Sequence, residues 1–241
     1  SLTIRGLGRV QVLSGGKILS NKDWKTQGVR DLFFYLLSQS KGVTKEEIGE
    51  EFWPDIDRDT LRLRFKNTIY RLRRAVGPDT ISFTDDEYFF NRSIDYEYDV
   101  ETYQDELESA KKTQTKDEQI AHLHAAVAAY HGNLLPKLDY DWVIIERERL
   151  RLTFIDAALE LTNLYLENQD FQLAINTANR ALQEDIFDES AYRAAMVAHA
   201  ALNDRPAVVR LYEKCKSTLK IELDLEPSAE TTRLFNTLIE R

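Results

Sequence analysis

The chain of 241 residues holds one cysteine, one methionine, five prolines and nine glycines. A lone thiol, Cys215, cannot close an internal disulfide, which fits a reducing compartment. It has no partner histidine in its motif, so it reads as a small buried hydrophobe on a helix rather than a nucleophile. No apolar run approaches the length of a membrane span, and no signal peptide precedes the first strand-like segment, so a cytoplasmic protein is expected. The chain starts at Ser1 rather than Met, as a piece cut from a longer chain would. With 43% hydrophobic and 10% aromatic residues, a disordered chain is excluded.

Signatures of chemistry are also missing. His122 and His124 stand two apart on a helical stretch, point to different sides and cannot share a metal. His131 and His199 read as ordinary surface or packing residues. Gly15-Gly16-Lys17 lacks the spacing of a phosphate-binding loop, and no helix follows it. Asp and Glu are scattered in registers typical of solvated helix faces. No catalytic constellation, metal or cofactor is expected.

What is present is an uneven charge. The net charge of −9 argues against a nucleic-acid binder, but residues 1–98 carry 16 Lys and Arg against 15 Asp and Glu, while residues 99–241 carry 16 against 26. The acidity belongs to the second part. Such asymmetry is the pattern of a binding domain joined to a different module, here 1–98 and 99–241.

The basic character concentrates in Asp57 to Gly77, DRDTLRLRFKNTIYRLRRAVG. Asp59 or Thr60 is the expected N-cap, and Gly77-Pro78 the stop. Helical spacing puts Leu61, Phe65, Ile69, Leu72 and Val76 on one apolar stripe. Lys66, Asn67, Tyr70, Arg73 and Arg74 then face away from it, with Arg62, Leu63, Arg64 and Arg71 on the flanks. A solvated surface helix is the ordinary alternative for such a charge run. That helix intersperses Glu with its cations to gain i,i+4 pairs, whereas Leu61 to Val76 contains no acid. The stretch therefore reads as a helix laid against phosphate, where Arg and Lys supply charge and Asn or Arg can read base edges.

Around it, Leu2 to Leu13 and Lys17 to Leu19 read as short antiparallel strands about the Ser14-Gly15-Gly16 turn. A helix is expected over about 26–38, and another opens at Thr44 with Glu47 completing a capping box. Thr80–Thr84 and Glu87–Arg92 flank Asp85-Asp86 as a hairpin. Strands, three helices and a hairpin are the order of a winged-helix domain, whose third helix enters the major groove. From Asp99 onward helices are expected over about 99–112, 117–131, 141–168, 170–184, 188–202, 204–219 and 228–240. Asn168-Gln169-Asp170-Phe171 and Asn203-Asp204-Arg205-Pro206 look like one unit repeated at an offset of 35, in the range of tetratricopeptide helix pairs. Ala174, Ala178, Ala181, Ala194, Ala195 and Ala198 would let such helices approach closely. The fold class is thus mixed, an α+β winged helix followed by an all-α tetratricopeptide-like domain.

Two motifs carry a resemblance. Tyr70-Arg71-Leu72-Arg73-Arg74-Ala75-Val76-Gly77 is similar to the YRLRRALG-type helix ending of SARP-type (antibiotic regulatory protein) transcriptional activators. Tyr212-Glu213-Lys214-Cys215, Leu219 and Glu222 to Thr231 (ELDLEPSAET) resemble that family's YExCxxxLxxELGxEPSxET signature. Trp142, Glu146-Arg147, Leu150 and Asp188-Glu189 also fall where the family pattern places them. The resemblance spans essentially the whole chain and implies an OmpR-like winged helix followed by a bacterial transcriptional activator domain. It implies binding to double-stranded promoter DNA, often at direct repeats with a homodimer, and contact with RNA polymerase or another protein. Three positions depart from the pattern. Leu63 stands where a polar residue such as Asn is common, leaving an apolar contact to a thymine methyl as the substitute. The hairpin tip Asp85-Asp86-Glu87 is acidic where the family has Gly and bases, and Ile186 replaces a usual Pro.

The expected DNA contacts are Lys66, Asn67, Tyr70 and Arg71 near bases, with Leu63 beside them, and Arg62, Arg64, Arg73 and Arg74 on the backbone. Lys45 is expected on phosphate and Arg92 at the wing. The expected function is that of a transcriptional activator in the bacterial cytoplasm, on the nucleoid when bound. Two rivals are a tetratricopeptide adaptor whose winged helix binds protein and, with no residue to support it, an enzyme.

Overall fold

In a computed structural model, which describes residues 1–240, the chain divides into two compact units. One comprises Ser1–Asp99 with Pro136–Leu138, the other Val100–Leu135 with Asp139 onward.

The first unit opens with β1 (Leu2–Arg5), β2 (Gln11–Ser14) and β3 (Lys17–Ile18), antiparallel as expected. β7 (Tyr96–Tyr98) then joins β1 in parallel, giving the sheet order β3-β2-β1-β7. Asp99, directly after β7, accepts from the backbone N–H groups of Gly6 at 2.8 Å and Leu7 at 3.1 Å, which ties down the turn that follows β1. A one-turn helix, α1 (Asn21–Trp24), precedes α2 (Gln27–Ser38), whose Leu32, Phe33, Leu36 and Leu37 form the core.

Next come β4 (Val43–Thr44), α3 (Lys45–Phe52) and α4 (Arg58–Val76). The expected capping box is present: Glu47 N–H donates to Thr44 Oγ1 at 3.2 Å, and Thr44 N–H donates back to Glu47 at 2.7 Å. α4 is capped by Asp57, not by Asp59 or Thr60. The Asp57 carboxylate accepts from the N–H groups of both those residues at 3.0 Å. This is the usual N-cap geometry, moved two or three residues upstream by a carboxylate that reaches both orphan donors. Gly77, at φ 110°, ends the helix where expected.

β5 (Ile81–Thr84) and β6 (Glu87–Phe90) form the hairpin, with β6 also pairing with β4 in the order β4-β6-β5. Asp85 and Asp86 both lie in the left-handed region, at φ 53° and 62°. That is the two-residue turn which suits the twist of a hairpin, and it selects Asp, Asn or Gly. The arrangement is a winged helix: α3 and α4 form the helix-turn-helix and β5–β6 the wing.

The second unit is helical: α5 (Asp99–Lys112), α6 (Lys116–Ala129), α7 (Asp141–Glu167), α8 (Phe171–Glu184), α9 (Glu189–Ala201), α10 (Arg205–Leu223) and α11 (Ala229–Glu240). α10 runs past the expected end at 219, to an Asp224 C-cap with left-handed φ. Ala174, Ala178, Ala181, Ala195 and Ala198 are fully buried where neighbouring helices meet. The repeat offset is 34, not 35. Gln169 and Asn203 are the left-handed residues of the two equivalent turns, at φ 64° and 59°. Asp170 and Asp204 follow them as the N-caps of α8 and α10. Ala174 then matches buried Val208 rather than exposed Val209. Matching asparagine to asparagine misses this, because Asn168 is a right-handed C-cap and only backbone conformation marks the equivalent turn.

Candidate nucleic-acid interface

α4 packs Phe65, Thr68, Ile69, Leu72 and Val76 inward, with Leu61 half-buried. Gly49 of α3 makes room for it, since a methyl group there would stand 2.8 Å from both Leu61 methyl carbons. Phe65 meets Tyr88 of β6 edge-on at 4.8 Å. The helix therefore cannot rotate, and its opposite side is fixed outward.

With the stripe centred on Leu72 and Phe65, steps of about 100° place Leu63, Asn67, Tyr70 and Arg74 on the line opposite. All four are exposed, Leu63 at 63% and Tyr70 at 64%. Leu63 thus sits at the centre of the outward face rather than on its flank. Lys66 and Arg62 form one bank of that line, Arg64 and Arg71 the other. None of Arg62, Arg64, Lys66, Arg71 and Arg74 forms an ion pair among the described residues. Arg64 does lie over the Trp53 ring, 5.9 Å from its centroid.

The remaining sequence candidates are occupied within the fold. Arg73 is half-buried and donates from Nε and Nη2 to the Ile81 carbonyl. Arg92 donates to the Leu37 carbonyl at 2.9 Å and to Tyr96 Oη at 3.2 Å, and it lies over the Phe90 ring. Lys45 pairs with Glu46 at 3.2 Å. The Lys45 contact holds the Glu46 carboxyl below its usual range, through a side-chain hydrogen bond first and charge after it.

One group escaped the sequence reading. Lys25 and Thr26, just before α2, line an open cleft of about 360 Å³ together with Asp23, Tyr70, Arg71 and Arg74. The first turn of α2 contains no acid, and the single carboxylate of the cleft, Asp23, is outnumbered there by Lys25, Arg71 and Arg74. The signal in the sequence is Lys25-Thr26 ahead of a helix start, too common a pattern to stand out alone.

The other chemistry-bearing residues are committed to packing. His122 Nδ1 contacts Glu106 at 2.7 Å and His124 Nδ1 contacts Tyr165 Oη at 2.8 Å, on separate partners. Cys215 is buried, and burial pushes its thiol up to about 11. No helix among the described residues is long and apolar enough to cross a membrane.

In the second unit the signature residues of the C-terminal motif are structural. Ser228 donates to Glu189 through both N–H and Oγ at 2.9 Å, and Arg193 donates to the buried Thr231 Oγ1 at 3.0 Å. These bonds dock α11 on α9. The Bacterial transcriptional activator domain family matches residues 98–239. The chain belongs to this family.

In this bacterial transcriptional activator domain protein, the SARP-type resemblance seen in the two motifs holds for family and fold, and the family is one of transcriptional regulators. The solved structure of Mycobacterium tuberculosis EmbR in complex with a low-affinity phosphopeptide is similar over 99% of the chain, with a TM-score of 0.73 and 16% identity. The chain spans 65% of the length of that protein. The C-terminal TPR-containing domain of a Plasmodium falciparum FK506-binding protein gives a TM-score of 0.40 at 18% identity, over 59% of this chain and 86% of that one. No curated protein matches the sequence.

Proposed function

We propose that the chain is a sequence-specific DNA-binding transcriptional activator that lays α4 in the major groove of promoter DNA. The observation that carries this reading is the outward face of α4, a line of readers between two banks of unpaired cations with no acid among them. A duplex meets a major-groove helix in the same way, with base edges ahead and a phosphate strand on either side. Arg62, Arg64, Lys66 and Arg71 take the phosphates, while Leu63, Asn67, Tyr70 and Arg74 face the bases. Lys25 and the start of α2 add a phosphate contact beside Arg71. Arg73 and Arg92 support the wing, and Lys45 contributes a charge already offset by Glu46. The wing tip repels phosphate through Asp85 and Asp86, so it makes no anion contact.

Residues 99–241, with 16 cations against 26 carboxylates, are repelled by DNA and take a protein partner, RNA polymerase or another. Two copies would sit on direct repeats in the bacterial cytoplasm, at the nucleoid. The acidic wing favours one other reading, a tetratricopeptide-type adaptor whose winged helix binds protein. A fluorescence-anisotropy titration with random duplex at several salt concentrations separates them. Activator function requires a log–log salt slope of several phosphates at about −0.9 each, and absence of binding at low salt leaves the adaptor.

A further inference from the structure

The centre line of α4 is less charged than its banks. Leu63 and Tyr70, each nearly two-thirds exposed, are seven residues apart with Asn67 between them. Leu63 and Tyr70 thus put apolar carbon on the most projecting line of an otherwise cationic helix face. The apolar group that a major groove displays is the 5-methyl of thymine, and the group that matches an Asn amide in bidentate fashion is adenine N6/N7.

We infer that α4 reads thymine methyl groups through Leu63 and Tyr70, and an adenine between them through Asn67. This rests on the DNA-binding reading above and gives it a substrate class: operators with an A·T-rich core. The rise from Leu63 to Tyr70 is about 10.5 Å, close to three base-pair steps of about 3.4 Å. The core therefore carries two thymines about three pairs apart, on either strand, flanking an A·T pair.

The test uses the full chain to select duplexes from a random pool, followed by replacement of thymidine with deoxyuridine, one position at a time, in the selected duplex. Deoxyuridine removes the methyl group and leaves hydrogen bonding intact. Each of two replacements should weaken binding about fourfold, the worth of one buried methyl group. Leu63→Ala should lose sensitivity at one position and Tyr70→Ala at the other. Both positions are on the surface, and circular dichroism of each variant checks its fold. Equal binding of thymidine and deoxyuridine duplexes, with the selected sequence still preferred over random DNA, overturns the inference and leaves DNA binding standing. Failure to bind any duplex at low salt overturns both.

Discussion

Arg73 of α4 places Nε and Nη2 on the single carbonyl of Ile81 in β5, at 3.2 and 2.8 Å. A charged donor pair spans from α4 to the first wing strand, so this guanidinium acts within the fold. Arg73→Ala should destabilise the first unit by about 1.5–3 kcal/mol, whereas Arg62→Ala, on the open face, should cost no more than about 0.5 kcal/mol. Urea unfolding of both variants checks it. Equal losses would mean that Arg73 does not hold α4 to β5.

On the proposed DNA target the order should reverse. Lys66→Ala and Arg71→Ala should weaken specific and random duplexes alike and each reduce the salt slope by about one, whereas Asn67→Ala should cost about 1–3 kcal/mol on the preferred sequence and little on random DNA. Anisotropy against both duplexes decides. A selective loss for Arg71→Ala would move it from bank to reader.

Gly49→Ala should cost about 1–3 kcal/mol by overpacking against Leu61. Combining it with Leu61→Ala should recover part of that loss, because the clashing carbons are those of the leucine. A strictly additive double variant, by thermal melting, would mean the close approach of α3 and α4 is absent in solution.

Much of the winged helix was legible in local signals: the Thr44–Glu47 box, the Gly77 stop, the Asp85-Asp86 turn and the apolar stripe. What escaped was non-local. β4 and β7 have two and three residues each and exist because Val43 pairs with Tyr88 and Leu2 with Tyr96. No window of sequence contains both partners. The occupation of Arg73 and Arg92 depends on carbonyls that only the fold brings near. The central position of Leu63 on the open face follows only from which stripe residues are buried, with Phe65 and Leu72 at the centre.

The docking of α11 has a pH signature. Burial works to raise the Glu189 carboxyl, but hydrogen bonds from Thr231 and Ser228 and the charge of Arg193 carry it below its ordinary value. A carboxylate depressed in the folded state contributes stability above its unfolded pKa of about 4.3, lost as pH falls through the folded value. The stability difference between wild type and Glu189→Gln should therefore be constant near neutrality and shrink below about pH 4. A difference that does not change with pH would exclude an ionised Glu189 from the lock.

Cys215, with its thiol raised to about 11 by burial, should resist thiol reagents at pH 8 in the folded protein and react at once in denaturant. Rapid labelling under native conditions would show that the packing around α10 opens.

β6 lies between β5 and β4, and β4 leads straight into the capped start of α3. The wing hairpin is therefore rooted in the helix-turn-helix through β4, with β6 as the middle strand and β5 at the edge. Phe65 against Tyr88 and Arg73 on the Ile81 carbonyl brace it directly on α4, so helix and hairpin form one stiff body. A duplex laid on α4 would meet a surface that does not yield, so any mismatch of shape would have to be taken up by the duplex.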